Sequence, residues 1–262
     1  MRGIIPPLVT PFDAQGRLDR AAFEANLDAY ASSELGGYLV LGSNGEASSL
    51  DEGEKLDLVR VGTGLEATAA TIALTARVAD AGADAVLVLT PHYYKPQMTA
   101  DALRGHFEAV ADASPVPVYL YSVPAFTGLP FPAALAAAMA PHPNVAGLKE
   151  SSGALGLMGR ILASVPPAFA VACGSAPVLY PALCLGAVAG VLAVACCAPD
   201  AAAAVYRAFV EGDHERARRL QLALTPLATA VTATYGVPGL KLAMDVAGLR
   251  GGVYQIQSGS GT

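Results

Sequence analysis

Hydrophobic runs of strand length recur along the chain, and most are followed by a segment in which apolar residues repeat with helical spacing. The runs are continuous rather than alternating, which is typical of parallel strands that are covered on both faces. The pattern predicts strands at residues 4–9, 37–41, 85–90, 116–121, 145–149, 169–173 and 187–193, with a weaker eighth at 60–63. It predicts helices at residues 19–33, 50–60, 66–80, 131–139, 155–163, 176–185, 200–210, 213–233 and 237–247.

Alternating strands and helices in this number predict an α/β fold, a (β/α)8 TIM barrel, with a doubly wound open sheet as the alternative. The open sheet is less favoured because no GxGxxG motif follows the first strand. After the last strand the chain continues as helices only. We therefore expect a barrel over residues 1–211, a C-terminal helical extension over 212–252 and a tail over 253–262, which ends in the flexible composition SGSGT.

Residues 176–199 carry no charged side chain, and this run is about as long as a membrane-spanning helix. Pro177, Pro181, Gly186 and Gly190 divide it into a short helix and a β-branched strand, which favours a buried helix–strand pair. The N-terminal sequence MRGIIPPLVTPF lacks the apolar region and the cleavage site of a signal peptide. The sequence therefore predicts no membrane partner and a cytoplasmic location.

The charge and the metal-binding residue types exclude further classes of partner. The 262-residue chain has a net charge of −6 and no basic cluster, which argues against binding to nucleic acid. Its four cysteines lie in apolar runs without a CxxC spacing, as expected for reduced, buried thiols. The four histidines lack metal-ligand spacing, so the sequence predicts no metal site.

Polar residues stand where several predicted strands end. Lys149 and Tyr121 are each the last residue of a strand, Tyr93 and Gly174 follow shortly after one, and the loop GSNGE occupies 42–46. In a (β/α)8 barrel the carboxyl ends of the strands carry the chemistry. This set contains an amine, phenols and a Gly/Ser/Asn loop, but no carboxylate pair, no Ser–His–Asp order and no metal cluster.

An amine among phenols in a dry barrel mouth suits Schiff-base chemistry. Desolvation disfavours the ammonium form, so that a buried amine can condense with a ketone to give an iminium ion. The iminium accepts electrons while a neighbouring carbon–carbon bond forms or breaks, and a phenol can move the proton. The Gly-rich loop can offer N–H groups and a hydroxyl to a carboxylate. The alternative is a solvated or ion-paired lysine and core tyrosines.

Four ordered motifs carry a resemblance to a known family. They are GSNGE at 42–46, TPHYYKP at 90–96, YSVPAFTG at 121–128 and GLKESSG at 147–153. With them, residues 4–252 resemble the dihydrodipicolinate synthase / N-acetylneuraminate lyase family, which consists of pyruvate-handling Schiff-base aldolases on a (β/α)8 barrel. The resemblance implies an enzyme that needs neither a cofactor nor a metal, because the iminium supplies the electron sink.

The resemblance also implies a role for each matched residue. Lys149 would form the Schiff base, and Tyr121 would relay protons at the substrate. Ser43 and Asn44 would hold the carboxylate of the keto acid, with Ser43 also in the relay. Tyr93 would match a tyrosine that reaches a neighbouring subunit's site, which implies a homotetramer built as a dimer of dimers. The other residues expected to bind the substrate are Gly45, Gly174 and Leu192.

Departures from the family motifs indicate which branch is closest. Phe126 stands where dihydrodipicolinate synthases usually carry an Arg that holds the second substrate's carboxylate. The loop GSNGE, the stretch YSVPAFTG and AVTATYGVPGLKLAMD at 230–245 look closer to 4-hydroxy-2-oxoglutarate aldolases. Cys196 and Cys197 stand where many members have an Asn. The stretch near 60–61 is shorter than in the family, and a final helix is missing after Gly252.

We therefore expect a class I aldolase that cleaves a 4-hydroxy-2-oxo acid, with 4-hydroxy-2-oxoglutarate as the first candidate, to pyruvate and an aldehyde such as glyoxylate. Within the same chemistry, the alternatives are 4-hydroxy-tetrahydrodipicolinate (dihydrodipicolinate) synthesis and a 2-keto-3-deoxy sugar-acid aldolase or dehydratase. A different class of function is also open, a non-catalytic barrel that binds a keto acid.

Overall fold

The structure is a computed structural model that describes residues 1–58 and 67–255. The strands of the described residues are β1 (Gly3–Ile5), β2 (Val86–Leu89), β3 (Val118–Ser122), β4 (Val145–Glu150), β5 (Ala170–Cys173) and β6 (Ala189–Val191). The strand predicted at 60–63 and the last residues of the predicted tail lie outside the described residues. The other predicted strands, except the one at 37–41, are confirmed with shifted ends.

The helices of the described residues are α1 (Arg20–Tyr30), α2 (Glu52–Asp57), α3 (Thr68–Asp80), α4 (Ala100–Ala113), α5 (Pro124–Thr127), α6 (Ala133–Met139), α7 (Leu155–Ser164), α8 (Leu179–Leu185), α9 (Pro199–Val210), α10 (His214–Thr229) and α11 (Gly236–Val246). A π-helical turn, Ala230–Thr234, leads from α10 towards α11. Each predicted helix has a counterpart, whereas α4 and the single turn of α5 were not predicted.

The chain divides into two compact units, and the first comprises Met1–Gly3 with the described part of Val59–Val191. Its strands β2 to β6 form a parallel sheet in which each strand pairs with the next along the chain. Leu120 and Leu148 in its middle strands are fully buried. Because the strands are parallel, their carboxyl ends lie at one edge of the sheet. The residues that come directly after the strands therefore lie together at this edge.

The second unit comprises Ile4–Leu58 with the described part of Leu192–Thr262. Its helices α1 and α10 begin at aspartates, Asp19 and Asp213, whose side chains accept from backbone N–H groups of the first turn. The helices α9, α10 and α11 follow one another and bury small and apolar residues, among them Leu240 and Val205. Of these helices, α10 and α11 lie within the C-terminal extension predicted at 212–252, whereas α9 lies within the range predicted for the barrel.

The strand predicted at 37–41 is wrong, since only Leu39 pairs there, in an isolated parallel bridge with Pro7. The N–H of Leu8 donates to the Leu39 carbonyl (2.7 Å), and the N–H of Leu39 donates to the Pro6 carbonyl (3.1 Å). Pro6 and Pro7 have no N–H to extend this ladder. Leu41, with φ at 57°, then turns the chain out of the extended conformation.

The uncharged run at 176–199 folds as expected into the short helix α8 and the strand β6. Pro177 lies in a 3₁₀ turn that precedes α8, and Gly186 ends the helix with φ at 117°, a value that favours glycine. Among the described residues no helix is long and apolar enough to cross a membrane.

Candidate active site

Lys149 and Tyr121 form the centre of the candidate site in the first unit. They are register partners on the neighbouring strands β4 and β3. The Lys149 side chain is only 4% exposed and that of Tyr121 5%. The Lys149 Nζ lies 4.1 Å from the centroid of the Tyr121 ring. None of the ion pairs between described residues involves Lys149, so the amine has a phenol rather than a carboxylate as its neighbour.

A register shift in the sheet brings this pair together. Val118 pairs with Val145, but the next residue of β3, Tyr119, pairs with Gly147, so that Ala146 is an extra residue on β4. A one-residue bulge changes which side chains lie opposite one another in the rest of the ladder. Without it, Lys149 would not stand opposite Tyr121.

Ser151 is a residue near Lys149 that the sequence reasoning missed. It follows Lys149 by two positions, and its N–H continues the ladder by donating to the Ser122 carbonyl (3.0 Å), so both side chains point to the same side. The Ser151 Oγ is buried and has no hydrogen-bond partner among the described residues. A buried hydroxyl without a partner is costly, which makes it available to a bound molecule.

Gly174, predicted to bind substrate, lies directly against this hydroxyl. A Cβ at Gly174 would come within 1.9 Å of the Ser151 Oγ and within 3.0 Å of the Ser151 Cα. The glycine therefore permits close packing of the chain after β5 against the chain after β4. The structure gives it this spacing role, and substrate binding by Gly174 stays a prediction.

Glu150 is a fully buried carboxylate beside the site, on the opposite side of β4 from Lys149. Its Oε1 accepts from the N–H of Ser152 (2.8 Å) and from the Ser122 hydroxyl (3.5 Å), whereas its Oε2 has no partner among the described residues. Burial raises the pKa of the neighbouring Cys173 thiol to about 11, and the charge of Glu150 acts in the same direction. Glu150 thus holds the chain segment that follows Lys149.

The predicted carboxylate-binding residues form a turn in the second unit, a 3₁₀ turn at Ser43–Gly45. Ser43 is exposed, Asn44 is half-buried and Gly45 is buried. The Gly45 N–H donates to the Gly42 carbonyl (3.0 Å), and the Thr10 hydroxyl donates to the Gly45 carbonyl (2.7 Å). The turn thus presents two polar side chains on an anchored backbone.

Glu46, which ends this turn, is part of a buried ion pair. Its Oε1 lies 2.6 Å from the Nζ of Lys241 on α11, and its Oε2 accepts from the N–H of Gln255 (2.8 Å). The Lys241 Nζ also donates to the Thr10 carbonyl (3.0 Å) and lies 4.7 Å from the centroid of the Phe12 ring. Burial lowers the pKa of Lys241, and the Glu46 carboxylate opposes that shift.

The remaining predicted site residues differ in exposure. Tyr93 is 75% exposed and meets Tyr94 edge to face, with ring centroids 4.9 Å apart. Phe126, on α5, is 64% exposed. Leu192 is fully buried in the second unit, and Cys196 is buried there with its Sγ donating to the Pro7 carbonyl (3.1 Å). Among the described residues no group of three or more His, Cys, Asp or Glu could hold a metal ion.

Comparison with known proteins gives this arrangement a family. The family model of the dihydrodipicolinate synthetase family matches residues 1–256. A 4-hydroxy-tetrahydrodipicolinate synthase from Archaeoglobus fulgidus is 35% identical over 95% of this chain and 89% of its own length. The same enzyme from Methanothrix thermoacetophila is 33% identical over 96% of this chain and 88% of its own length.

Solved structures agree with the sequence comparisons. A putative dihydrodipicolinate synthase from Thermus thermophilus is 36% identical, with a TM-score of 0.89 over 98% of this chain and 92% of its own. The 4-hydroxy-tetrahydrodipicolinate synthase of Methylacidiphilum fumariolicum SolV is 26% identical, with a TM-score of 0.93 over 99% of this chain and 90% of its own. These matches confirm the fold class, a (β/α)8 barrel with C-terminal helices.

The buried amine beside a phenol, the family match over nearly the whole chain and the similarity to named synthases lead to one conclusion. This chain is an enzyme, a carbon–carbon lyase of the class that works through a lysine Schiff base on pyruvate, and it belongs to the dihydrodipicolinate synthetase family.

Proposed function

We propose that Lys149 is the lysine that forms the Schiff base and that Tyr121 relays protons at the bound substrate. The observation that carries this proposal is the buried Lys149 Nζ 4.1 Å from the centre of the Tyr121 ring. Lys149 and Tyr121 are also the last residues but one of neighbouring parallel strands, and barrel enzymes place their chemistry at these carboxyl ends.

The reaction begins when the neutral amine of Lys149 attacks the C2 carbonyl of pyruvate and water leaves, which gives an iminium ion. Loss of a proton from C3 then converts the iminium into an enamine. The enamine attacks the carbonyl carbon of an aldehyde, whose oxygen takes up a proton, and hydrolysis of the new iminium frees Lys149. Tyr121 is the phenol placed to carry these protons, and the reverse sequence cleaves the carbon–carbon bond.

The Ser43–Gly45 turn would hold the carboxylate of the keto acid. Two observations support this. Ser43 is exposed and Asn44 is half-buried on adjacent positions, and the hydrogen bond to the Gly45 carbonyl fixes the backbone that carries them. Such N–H and hydroxyl groups suit an anion. Ser151, with its buried hydroxyl, is a further candidate contact for the substrate. Gly174 and Leu192 remain predicted lining residues.

The relatives' names support 4-hydroxy-tetrahydrodipicolinate synthesis, the condensation of pyruvate with an aldehyde, better than they support the aldolase that we expected from the sequence. We therefore take the synthase as the first candidate for the physiological reaction. Among the expected alternatives, a non-catalytic barrel has no support from these relatives.

Cleavage of 4-hydroxy-2-oxoglutarate stays as the second candidate because of one residue. Phe126 is 64% exposed and apolar at the position where we expect dihydrodipicolinate synthases to carry an Arg for the second substrate's carboxylate. A phenyl ring cannot pair with a carboxylate. A synthase with Phe126 would need another cation for this purpose. In glyoxylate the carboxylate is bonded directly to the aldehyde carbon, so an aldolase for 4-hydroxy-2-oxoglutarate would not need its cation at the same position.

Reductive trapping tests the Schiff base directly. The protein is incubated with pyruvate, treated with borohydride, digested and analysed by mass spectrometry. We expect a reduced pyruvate adduct on Lys149 in the wild type, none in Lys149→Arg, and wild-type trapping in the control Lys55→Arg on α2. An adduct on another lysine, or none in the wild type, would overturn the assignment.

A substrate panel then separates the two candidates. Product formation from pyruvate and the aldehyde precursor of 4-hydroxy-tetrahydrodipicolinate is compared with pyruvate release from 4-hydroxy-2-oxoglutarate and from 2-keto-3-deoxy sugar acids. If the protein is a synthase, kcat/KM should be highest for the condensation of pyruvate with that aldehyde. If Phe126 defines the pocket, Phe126→Arg raises synthase activity and lowers aldolase activity, and equal effects on both would contradict that role.

We also propose that the protein works as a homotetramer, a dimer of dimers, in the cytoplasm. The 75% exposure of the Tyr93 ring supports the assembly, because a large aromatic side chain gains by burial in an interface.

A further inference from the structure

The buried contacts around Glu46 point to a role for Lys241, a residue outside the four motifs that carry the family resemblance. The side chains of Lys241 and Glu46 are 3% and 6% exposed, and their charged atoms are 2.6 Å apart. Glu46 immediately follows the Ser43–Gly45 turn. The cation and the carboxylate therefore meet at the end of the backbone segment that presents Ser43 and Asn44.

The ion pair lies within a set of contacts that all restrain this segment. Lys241 donates to the Thr10 carbonyl (3.0 Å), and the hydroxyl of Thr10 donates to the Gly45 carbonyl (2.7 Å). Gln255 donates its N–H to the second oxygen of Glu46 (2.8 Å). Gly45 is thus held by Thr10, and Glu46 is held by Lys241, which itself contacts Thr10.

The backbone at Glu46 gives independent support. Its φ is 50° and its ψ is 39°, a left-handed conformation that costs free energy in a residue with a Cβ. Such strain persists where the surroundings hold it in place, and it is concentrated at functional sites. Here the contacts that hold it are those of the Glu46 carboxylate.

Stability alone is a weak explanation for this arrangement. Taking two charges out of water costs about as much as their attraction returns, and well-packed apolar side chains of similar volume often stabilise as well or better. A buried pair is better suited to fixing one geometry, because each partner tolerates only one position of the other.

We propose that Lys241 and Glu46 are positioning residues that hold the Ser43–Gly45 turn in the conformation that receives the keto acid's carboxylate. This inference rests on the proposed function, in which that turn binds the carboxylate. Removing the pair should weaken the binding of pyruvate while the chemistry at Lys149 keeps its rate once pyruvate is bound.

The test uses the double variant Glu46→Gln/Lys241→Met, which removes both charges and so leaves neither one buried alone. Borohydride trapping is measured against pyruvate concentration, together with the melting temperature. We expect the half-saturating pyruvate concentration to rise about 10-fold to 100-fold, as a small misplacement of a binding group does, with little change in the trapping rate at saturation. Glu46→Asp keeps the charge in a residue type that tolerates the left-handed backbone, so it should raise the half-saturating pyruvate concentration less.

The control is Asn26→Ala, because Asn26 holds the C-terminal segment without touching the pair. Its side chain donates to the Arg250 carbonyl (2.8 Å) and accepts from the Arg250 N–H (2.8 Å). This variant should lower the melting temperature and leave half-saturation unchanged. Wild-type half-saturation in the double variant and in Glu46→Asp, or an equal rise in Asn26→Ala, would overturn the inference. Absence of any adduct in the wild type would instead overturn the proposed function on which it rests.

Discussion

Lys149 and Tyr121 owe their proximity to the way parallel strands align side chains. Each is separated from the other by many residues of chain, yet β3 and β4 make them register partners. The phenol faces the amine with its ring, 4.1 Å from the Nζ to the ring centre. Tyr119, two positions earlier on the same strand, shares the strand and the residue type but pairs with Gly147. It is therefore a matched control for Tyr121.

Tyr121→Phe should lower kcat about 10²-fold to 10⁴-fold, because that is the usual contribution of a positioned acid–base group. The Schiff base should still form, since Lys149 is untouched. Steady-state kinetics and borohydride trapping measure the two effects. Tyr119→Phe, which removes only the acceptor of a hydrogen bond from the amino group of Met1, should leave kcat within about twofold of wild type. Equal losses in both variants would contradict a proton-relay role.

The sequence revealed some of these residues and not others, for a physical reason. Lys149 and Tyr121 were predictable because each is a polar residue that ends an apolar run. Ser151 and Glu150 belong to the same motif, but a sequence does not show that the Ser151 hydroxyl is buried without a partner or that Glu150 is fully buried. Those properties depend on what β3 and β5 place beside them.

The cysteines test burial directly, because thiols report their exposure through reactivity. Cys184 is exposed, whereas Cys173, Cys196 and Cys197 are buried. Burial raises the pKa of Cys173 and of Cys197 to about 11. At pH 8 a thiol reagent should modify one thiol rapidly in the native protein and four after denaturation. More than one rapid thiol in the native state would contradict the described core.

The same shift predicts a loss of stability in alkali. Between about pH 9 and pH 11 the unfolded thiol loses its proton while the folded Cys173 thiol keeps it, so the free energy of unfolding falls as the pH rises. Urea unfolding at several pH values measures the slope. Cys173→Ala should make the slope shallower, and Cys184→Ala, at an exposed position, should not.

At the scale of elements, β4 depends on a glycine that allows it to approach β5. A Cβ at Gly147 would lie 2.0 Å from the carbonyl oxygen of Ala170, which belongs to the backbone and cannot rotate away. Gly147 also follows the extra residue that sets the register of Lys149. A change at this glycine should therefore disturb both the packing of the sheet and the position of the amine.

Gly147→Ala should destabilise the protein by about 1–3 kcal/mol or more, the range for overpacking a core, and should reduce trapping at Lys149. Gly159→Ala is the control, because Gly159 lies in α7 and a Cβ there would have no atom within 4 Å. It should be neutral or stabilise by up to about 1 kcal/mol. Urea unfolding and trapping distinguish the two. A Gly147→Ala variant as stable and active as wild type would show that β4 and β5 can separate.

Elements were predictable where local pattern and tertiary environment agree. The continuous apolar runs that became β2 to β6 are buried on both faces, so hydrophobicity alone marks them. Residues 37–41 have the same composition, but their partner segment contains Pro6 and Pro7, and no ladder forms. The missing N–H groups belong to another segment, so the apolar run at 37–41 does not itself show that a ladder cannot form there.

At the scale of the whole molecule, several large apolar side chains are exposed in a way that a single chain does not explain. In the first unit Tyr93, Tyr94 and Phe126 are 75%, 66% and 64% exposed. In the second unit α11 exposes Leu242 and Val246 at 65% and 82%. Large apolar side chains in such numbers favour burial against another protein surface, and the homotetramer expected from the family resemblance would provide one.

The assembly is tested by mass. Sedimentation velocity at micromolar concentration should give four times the chain mass of 26.5 kDa. If Tyr93 lies in an interface, Tyr93→Ala should raise the dissociation constant of the tetramer and also lower kcat/KM. A wild-type protein that sediments as one chain and remains fully active would contradict the proposed tetramer.

The tie between Glu46 and the C-terminal segment also sets an order of events during synthesis. Glu46 and Gln255 are 209 residues apart, and Lys241 is likewise among the last described residues to be made. At roughly 5–20 residues per second, a ribosome needs roughly 10–40 s to travel between them. A nascent chain thus carries Lys149 for much of that interval without the partners that hold the Ser43–Gly45 turn. The growing polypeptide would possess its reactive amine before it could retain pyruvate, and its activity would begin only after the segment that carries Lys241 and Gln255 has been made.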